Sequence, residues 1–284
     1  MSPPGPSETV MGRPTVVIEP RNGLLRLDLG QLYHYRELLY FLIWRDVKIR
    51  YKQTAIGVAW AVIQPLATMA LFTLVFGRFA GVPSDGLPYP VFAYAALLPW
   101  HYFSQAVTES GRSLVGDANL IRKVYFPRLV IPLAAVIRPL VDFSCSFLVL
   151  LVLMAWFGLR PSWPVLMLPA LVALAVLAAL AVGVWLSALN VRYRDVGHTI
   201  PFLTQLWLFA SPVAYPVSVV PDSWRLIYSL NPMVGVIEGF RWALLGKASA
   251  DPAVLLASLP LLAALLITGL IYFRRTEHTF ADIV

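Results

Sequence analysis

The chain has 284 residues, of which 59% are hydrophobic and 13% charged, with a net charge of +7. A water-soluble domain carries roughly 45–50% apolar and about 25% charged residues, so this chain lacks the charge to solvate a soluble surface of its size, and much of that surface must face lipid. One cysteine, Cys145, excludes an intrachain disulfide, and cations placed at the ends of apolar runs rather than on one soluble face exclude a nucleic-acid binder.

Residues 1–30 are rich in Pro, Ser and Gly and hold no long apolar core. They do not form a signal peptide; the expectation is a cytosolic tail with a short strand at Thr15–Ile18. Residues 31–54 follow, with a short apolar core and basic residues crowding the second half. Tyr33, Tyr40, Trp44, Val47 and Tyr51 recur at helical spacing and share one face. An aromatic stripe beside Arg and Lys predicts an amphipathic helix lying in the membrane interface. An extra span is the alternative, which the clustered charges disfavour.

Residues 55–273 then hold six long apolar runs. Ala55–Gly77 is the first, and Pro90–Glu109 a weaker second, polar toward its far end. Leu133–Phe157 is the third and carries Arg138 and Asp142. Trp163–Leu189 is the fourth, Thr199–Val220 the fifth and Pro252–Phe273 the sixth. Each approaches or exceeds the roughly 20 residues that cross ~30 Å of hydrocarbon. With residues 1–54 inside and six alternating spans, sixteen Lys and Arg fall in inside segments. Five fall outside: Arg78, Arg160, Arg225, Arg241 and Lys247. That bias predicts both termini, including the tail 274–284, in the cytoplasm.

Between the fifth and sixth spans, Val220–Lys247 is broken by Asn231-Pro232 and Gly235, and it carries Trp224, Tyr228, Phe240 and Trp242. Two short re-entrant helices packed on the bundle would satisfy its backbone. An amphipathic loop resting on the headgroups would do so equally.

The sequence offers no catalytic constellation. No G-x-x-x-x-G-K-[ST] phosphate loop occurs, so the chain does not hydrolyse ATP by that route and any ATPase must be a separate polypeptide. The four histidines lie in different segments without ligand spacing, which predicts no metal site and no cofactor. Arg138 and Asp142 stand i, i+4 and predict an intramembrane ion pair, either locking helix packing or touching substrate. The loop 111–132 predicts a short helix over Asp117–Lys123, capped by Asp117 or Asn119, with Leu120 and Ile121 as apolar anchors beside Arg122 and Lys123. Its alternatives are a docking element for a cytosolic motor and a solvated basic loop. Aromatics beside polar residues within spans are candidates for lining a channel: Trp60 near Gln64, Trp100 and Tyr102 near Gln105, and Trp207 near Gln205. Interfacial anchoring or packing explains each of them equally.

Four segments carry a resemblance: RDVKIRYKQTAIGVAWAVIQPL, ANLIRKVYFPRLVIP, ALNVRYRDVGHTIPFLTQLWLFASPVAYP and LNPMVGVIEGFRWALLG. In this order they resemble the permeases of type-2 ABC exporters for O-antigen polysaccharides and teichoic acids, over about Tyr35 to Arg275. The resemblance implies an all-α integral membrane protein of the bacterial inner membrane, with six spans, an N-terminal interfacial helix and two outer gate helices. It implies a homodimer bound to two ATPase subunits. The substrate it implies is a glycan on undecaprenyl diphosphate, carried from cytoplasm to periplasm. Residues 117–123 would be the coupling helix, and Ser223–Gly246 the gate pair. A teichoic-acid, drug or lipid exporter is the alternative within the class, and a non-transporting membrane scaffold the alternative outside it.

Overall fold

The computed structural model describes residues 29–52, 59–246 and 252–283, and the described residues are helical throughout their regular structure. The expected N-terminal tail with its Thr15–Ile18 strand lies almost wholly outside them. The helices run in order as α1 (Leu29–His34), α2 (Arg36–Lys52), α3 (Ala59–Phe72, extended by a π-helical turn Thr73–Phe79), α4 (Tyr89–Gly116) and α5 (Ala118–Lys123). Then come α6 (Val130–Ile137), α7 (Leu140–Trp156), α8 (Leu168–Arg192, after a 3-10 turn Trp163–Met167) and α9 (Val196–Phe209). The chain closes with α10 (Asp222–Ser229), α11 (Pro232–Leu245), α12 (Pro252–Glu277) and α13 (Phe280–Ile283).

This is an all-helical membrane protein. Four stretches combine the length and apolarity of a membrane span: Ala59–Phe79, Val130–Trp156, Trp163–Arg192 and Leu256–Glu277, with mean hydropathies of 1.8, 2.1, 2.8 and 2.2. They match the first, third, fourth and sixth expected spans. Much of their apolar surface, including Leu71, Leu148, Val152, Leu177 and Ile267, points away from the protein, as lipid-facing helices require.

The second expected span becomes α4, 28 residues long and therefore about 42 Å, but less apolar. Its position explains the difference. Residues Val91–Leu98 are buried on every side by protein, and the helix packs on α3, α6, α7, α8, α9 and α11. A helix surrounded by protein can carry Gln105 and Glu109, because its neighbours rather than lipid meet their hydrogen-bonding needs. The most extensive seam is with α8, whose Gly183 lies so near Ser110 that a Cβ there would stand 2.5 Å from the Ser110 hydroxyl. Small residues allow this approach.

The fifth expected span, Thr199–Val220, is shorter in the structure. Helix α9 ends at Phe209, and residues 210–216 turn. The residue before a proline avoids helical geometry, and Ser211 precedes Pro212. The freed backbone is then met from within: the Asn231 amide donates to Ala210 O at 3.1 Å, and the Tyr215 hydroxyl donates to Phe209 O at 2.9 Å. The third expected span is likewise split, with Arg138-Pro139 separating α6 from α7.

Candidate functional site

Helix α2 sits against α6, and its second half supplies one side of a charged ladder. Arg45 bonds Asp117 at the start of α5 at 2.9 Å and its own neighbour Asp46 at 2.7 Å. Asp46 accepts from Arg138 at 2.8 Å. Arg138 Nε and Nη2 both reach Glu109 of α4, the former at 2.8 Å. Arg50 then joins Glu109 at 3.2 Å to Asp142 of α7 at 3.1 Å. The Gln105 amide donates to both carboxylates, at 3.1 and 3.0 Å, and the Tyr51 hydroxyl donates to Asp142. Burial, together with the bond to Asp142, pushes the Tyr51 phenol well above its ordinary pKa, so it stays a donor.

The expected pair of Arg138 with Asp142 is therefore corrected. The break at Pro139 takes the two out of one continuous helix, and each finds a nearer partner on another element. Sequence reasoning missed Asp46 and Glu109, counted Arg45 and Arg50 only toward topology, and gave Asp117 to the start of the coupling helix rather than to Arg45. Asp117 does precede α5, but its carboxylate bonds Arg45 and makes no cap bond.

Beside the ladder lies a cavity of about 680 Å³ between α2, α3, α4 and α7. Trp60, Gln64, Tyr102, Gln105 and His101 line it, together with Arg50, Tyr51, Glu109 and Asp142. Of the four aromatics expected at a channel wall, Trp60 and Tyr102 are here, although the Tyr102 hydroxyl donates to Val136 O. The other two are packing residues in the structure. Trp100 is buried against Phe103, and Trp207 stands edge-on to the same ring and donates to the Asn231 side chain. Helical spacing placed Trp100 near Gln105 without saying which face turned inward.

At α5 the anchors divide. Ile121 is buried in the chain's own core, in a cluster with Leu42, Leu114, Phe126, Phe273 and Phe280, and Leu120 is half-buried against it. Ile121 is thus no free anchor for a partner, which corrects that expectation. Asn119, Arg122 and Lys123 are exposed, continued by Val124 and by Tyr125, which is 77% exposed. The aromatic stripe of α2 also divides. Tyr40 and Trp44 are exposed, joined by Phe41 and Ile49 and by Tyr33 of the preceding α1, while Val47 is half-buried and Tyr51 turns to the cavity.

The far loop forms the two expected helices, α10 and α11. Trp224 is exposed, Tyr228 is half-buried and bonded to the Tyr215 hydroxyl, and Trp242 packs edge-on to Trp163. Phe240 is fully buried, edge-on to Phe143, so it belongs to the core. Arg241, counted among the exterior cations from sequence, is 1% exposed. Its guanidinium lies 3.6 Å from the Phe92 ring centroid, pairs with Glu238 at 2.8 Å and donates to Val213 O at 3.0 Å. It ties α11 to α4.

Among the described residues, no three His, Cys, Asp or Glu side chains converge as a metal set.

Residues 37–245 match the family model described as ABC-2 type transporter. The chain is 32% identical over 262 residues to the O-antigen export system permease protein RfbA of Myxococcus xanthus, covering 91% of this chain and 99% of that protein. It is 28% identical to the RfbA protein of Klebsiella pneumoniae, covering 92% and 98%. The polysialic acid transport protein KpsM of Escherichia coli is 25% identical, covering 84% of this chain and 92% of its own length.

Proposed function

The chain belongs to the ABC-2 type transporter family, and from that membership we propose that it is the membrane permease of a polysaccharide exporter. A separate ATPase drives it, as the family and the missing phosphate loop both require. The substrate is a lipid-linked, O-antigen-like glycan on undecaprenyl diphosphate, moved from cytoplasm to periplasm across a bacterial inner membrane. The observation that carries this reading is the likeness to an O-antigen export permease, continuous over 91% of this chain and 99% of the relative. The likeness to a polysialic acid transport protein supports a capsular glycan as the second reading.

In this reading the protein is a homodimer with two ATPase subunits and both termini cytoplasmic. Six spans arise when α4 and α9 join the four apolar stretches. Helix α2 lies in the interface, where its exposed Tyr40, Phe41 and Trp44 meet headgroups. Helices α10 and α11 form the outer gate. The exposed side of α5, continued through Val124 and Tyr125, docks the ATPase.

The ladder gives this docking a mechanical route. A push on α5 acts at the Asp117–Arg45 bond and so on α2. From α2 it passes through Asp46 and Arg50 to Arg138, Glu109 and Asp142, which sit on α4 and at the break between α6 and α7. Charges only partly shielded from water exchange partners more readily than an apolar core repacks, so the ladder is suited to two arrangements.

The test is genetic and biochemical. Deleting the chain should strip the cell surface of one glycan and leave lipid-linked precursor inside, and the purified permease should retain an ATPase. Normal surface glycan in the deletion strain would overturn the assignment.

A further inference from the structure

The 680 Å³ cavity falls within the range of small-molecule sites, about 300–1,000 Å³. Resting on the exporter reading above, we propose that it is a sugar subsite, which holds an uncharged ring of the exported glycan and not the diphosphate of its lipid carrier.

Three features of the wall point to a sugar. Trp60 offers an aromatic face, on which the C–H side of a pyranose can stack. Gln64 and Ser104 lie around the same space and present both donors and acceptors, while Gln105 and Thr108, whose protons go to Glu109, Asp142 and Ser104 O, add acceptor oxygens, as a ring of hydroxyls requires. His101 contributes a buried Nε2 with no hydrogen-bond partner. Such an atom is costly to leave unmatched, and a ligand hydroxyl at the cavity wall would satisfy it.

The charge excludes the diphosphate. The charged side chains on the wall are Arg50, Glu109 and Asp142, one cation against two carboxylates. Arg50 is already bonded to both carboxylates, at 3.2 and 3.1 Å. A diphosphate would meet net negative charge with the local cation engaged, whereas anion sites use clustered Arg and Lys or helix N-termini. A neutral ring faces no such repulsion, and carboxylates accept hydrogen bonds from its hydroxyls.

The experiment uses the permease–ATPase complex in lipid nanodiscs, free of nucleotide. The ligand is the cell's own lipid-linked glycan, released from its diphosphate by mild acid, and binding is followed by titration calorimetry. Binding to the wild type should weaken at least tenfold in Trp60→Ala and in Gln105→Ala, and Trp60→Phe should restore most of it. Trp156→Ala, on an exposed ring remote from the cavity wall, should change nothing. Farnesyl diphosphate at equal concentration should leave the titration unaltered. Displacement by farnesyl diphosphate, wild-type binding in both cavity variants, or no binding to the wild type would each overturn the proposal. The failures separate cleanly. If the deletion strain loses its surface glycan while the titration fails, the exporter reading stands and only the sugar subsite falls. If the deletion strain keeps its glycan, the exporter reading falls first.

Discussion

Arg138 donates to Glu109, 29 residues earlier in the chain, and not to Asp142, four residues later. The bond ties the break between α6 and α7 to the buried helix α4. It also sets two carboxylates, Glu109 and Asp46, around one guanidinium.

This relationship predicts where coupling is found. Arg138→Gln alone should destabilise the permease, since Glu109 is then left to Arg50 and Gln105, and Asp46 to Arg45, with the cation that bridged the two carboxylates gone. The double variant Arg138→Gln with Glu109→Gln should be milder than the two single losses combined, with a coupling of about 1 kcal/mol. Arg138→Gln with Asp142→Asn should come closer to additivity, because Asp142 belongs first to Arg50 and Tyr51. Thermal unfolding in nanodiscs measures the cycle, and a larger coupling for Arg138 with Asp142 would refute the observed pairing.

The divided surface of α5 predicts that folding and docking separate. Ile121→Ala should cost about 2–5 kcal/mol of stability, as a buried large-to-small change does. Tyr125→Ala and Lys123→Glu should leave the melting temperature alone and release the ATPase. An anchor of Tyr125's kind is worth about 2 kcal/mol, roughly thirtyfold in affinity. Copurification at graded ATPase concentrations reads the effect, and full retention by both variants would remove the docking role from this surface.

Helix α13 predicts a structural use for the C-terminus. Phe280 is buried edge-on to Phe273 in the cluster that holds Ile121, and Glu277 accepts from the Arg128 backbone N–H at 3.1 Å. Phe280→Ala should cost about 3–5 kcal/mol and speed hydrogen exchange at the amides of α5, because the floor under that helix is removed. Unchanged exchange at residues 118–123 would show that α5 stands without α13.

Topology has its own check. With Cys145 replaced, a cysteine at the exposed Ser162 should react with an impermeant thiol reagent from outside the cell, and one at the exposed Asn119 should not. Labelling at Asn119 from outside would invert the orientation drawn from the cation bias.

What the sequence determined by itself is what can be summed along the chain. Apolarity adds residue by residue, so the four lipid-facing stretches were legible from hydropathy, and the cluster of Arg and Lys before the first span marked α2 as something other than a span. The position of α5 was legible too, because Pro127 and Pro132 punctuate the segment behind it. The tertiary structure decided everything that depends on which face a helix turns inward. Nothing in the local pattern says that α4 is enclosed by protein, that Trp60 borders a cavity while Trp100 is packing, or that Ile121 points at Phe280 and Tyr125 at solvent. The same holds for charge. Asp46 and Arg138 are 92 residues apart, and Arg45 and Asp117 are 72; a charge chooses its partner by distance in space, after packing has fixed the helices, so the chain's own order cannot encode the choice in any short window.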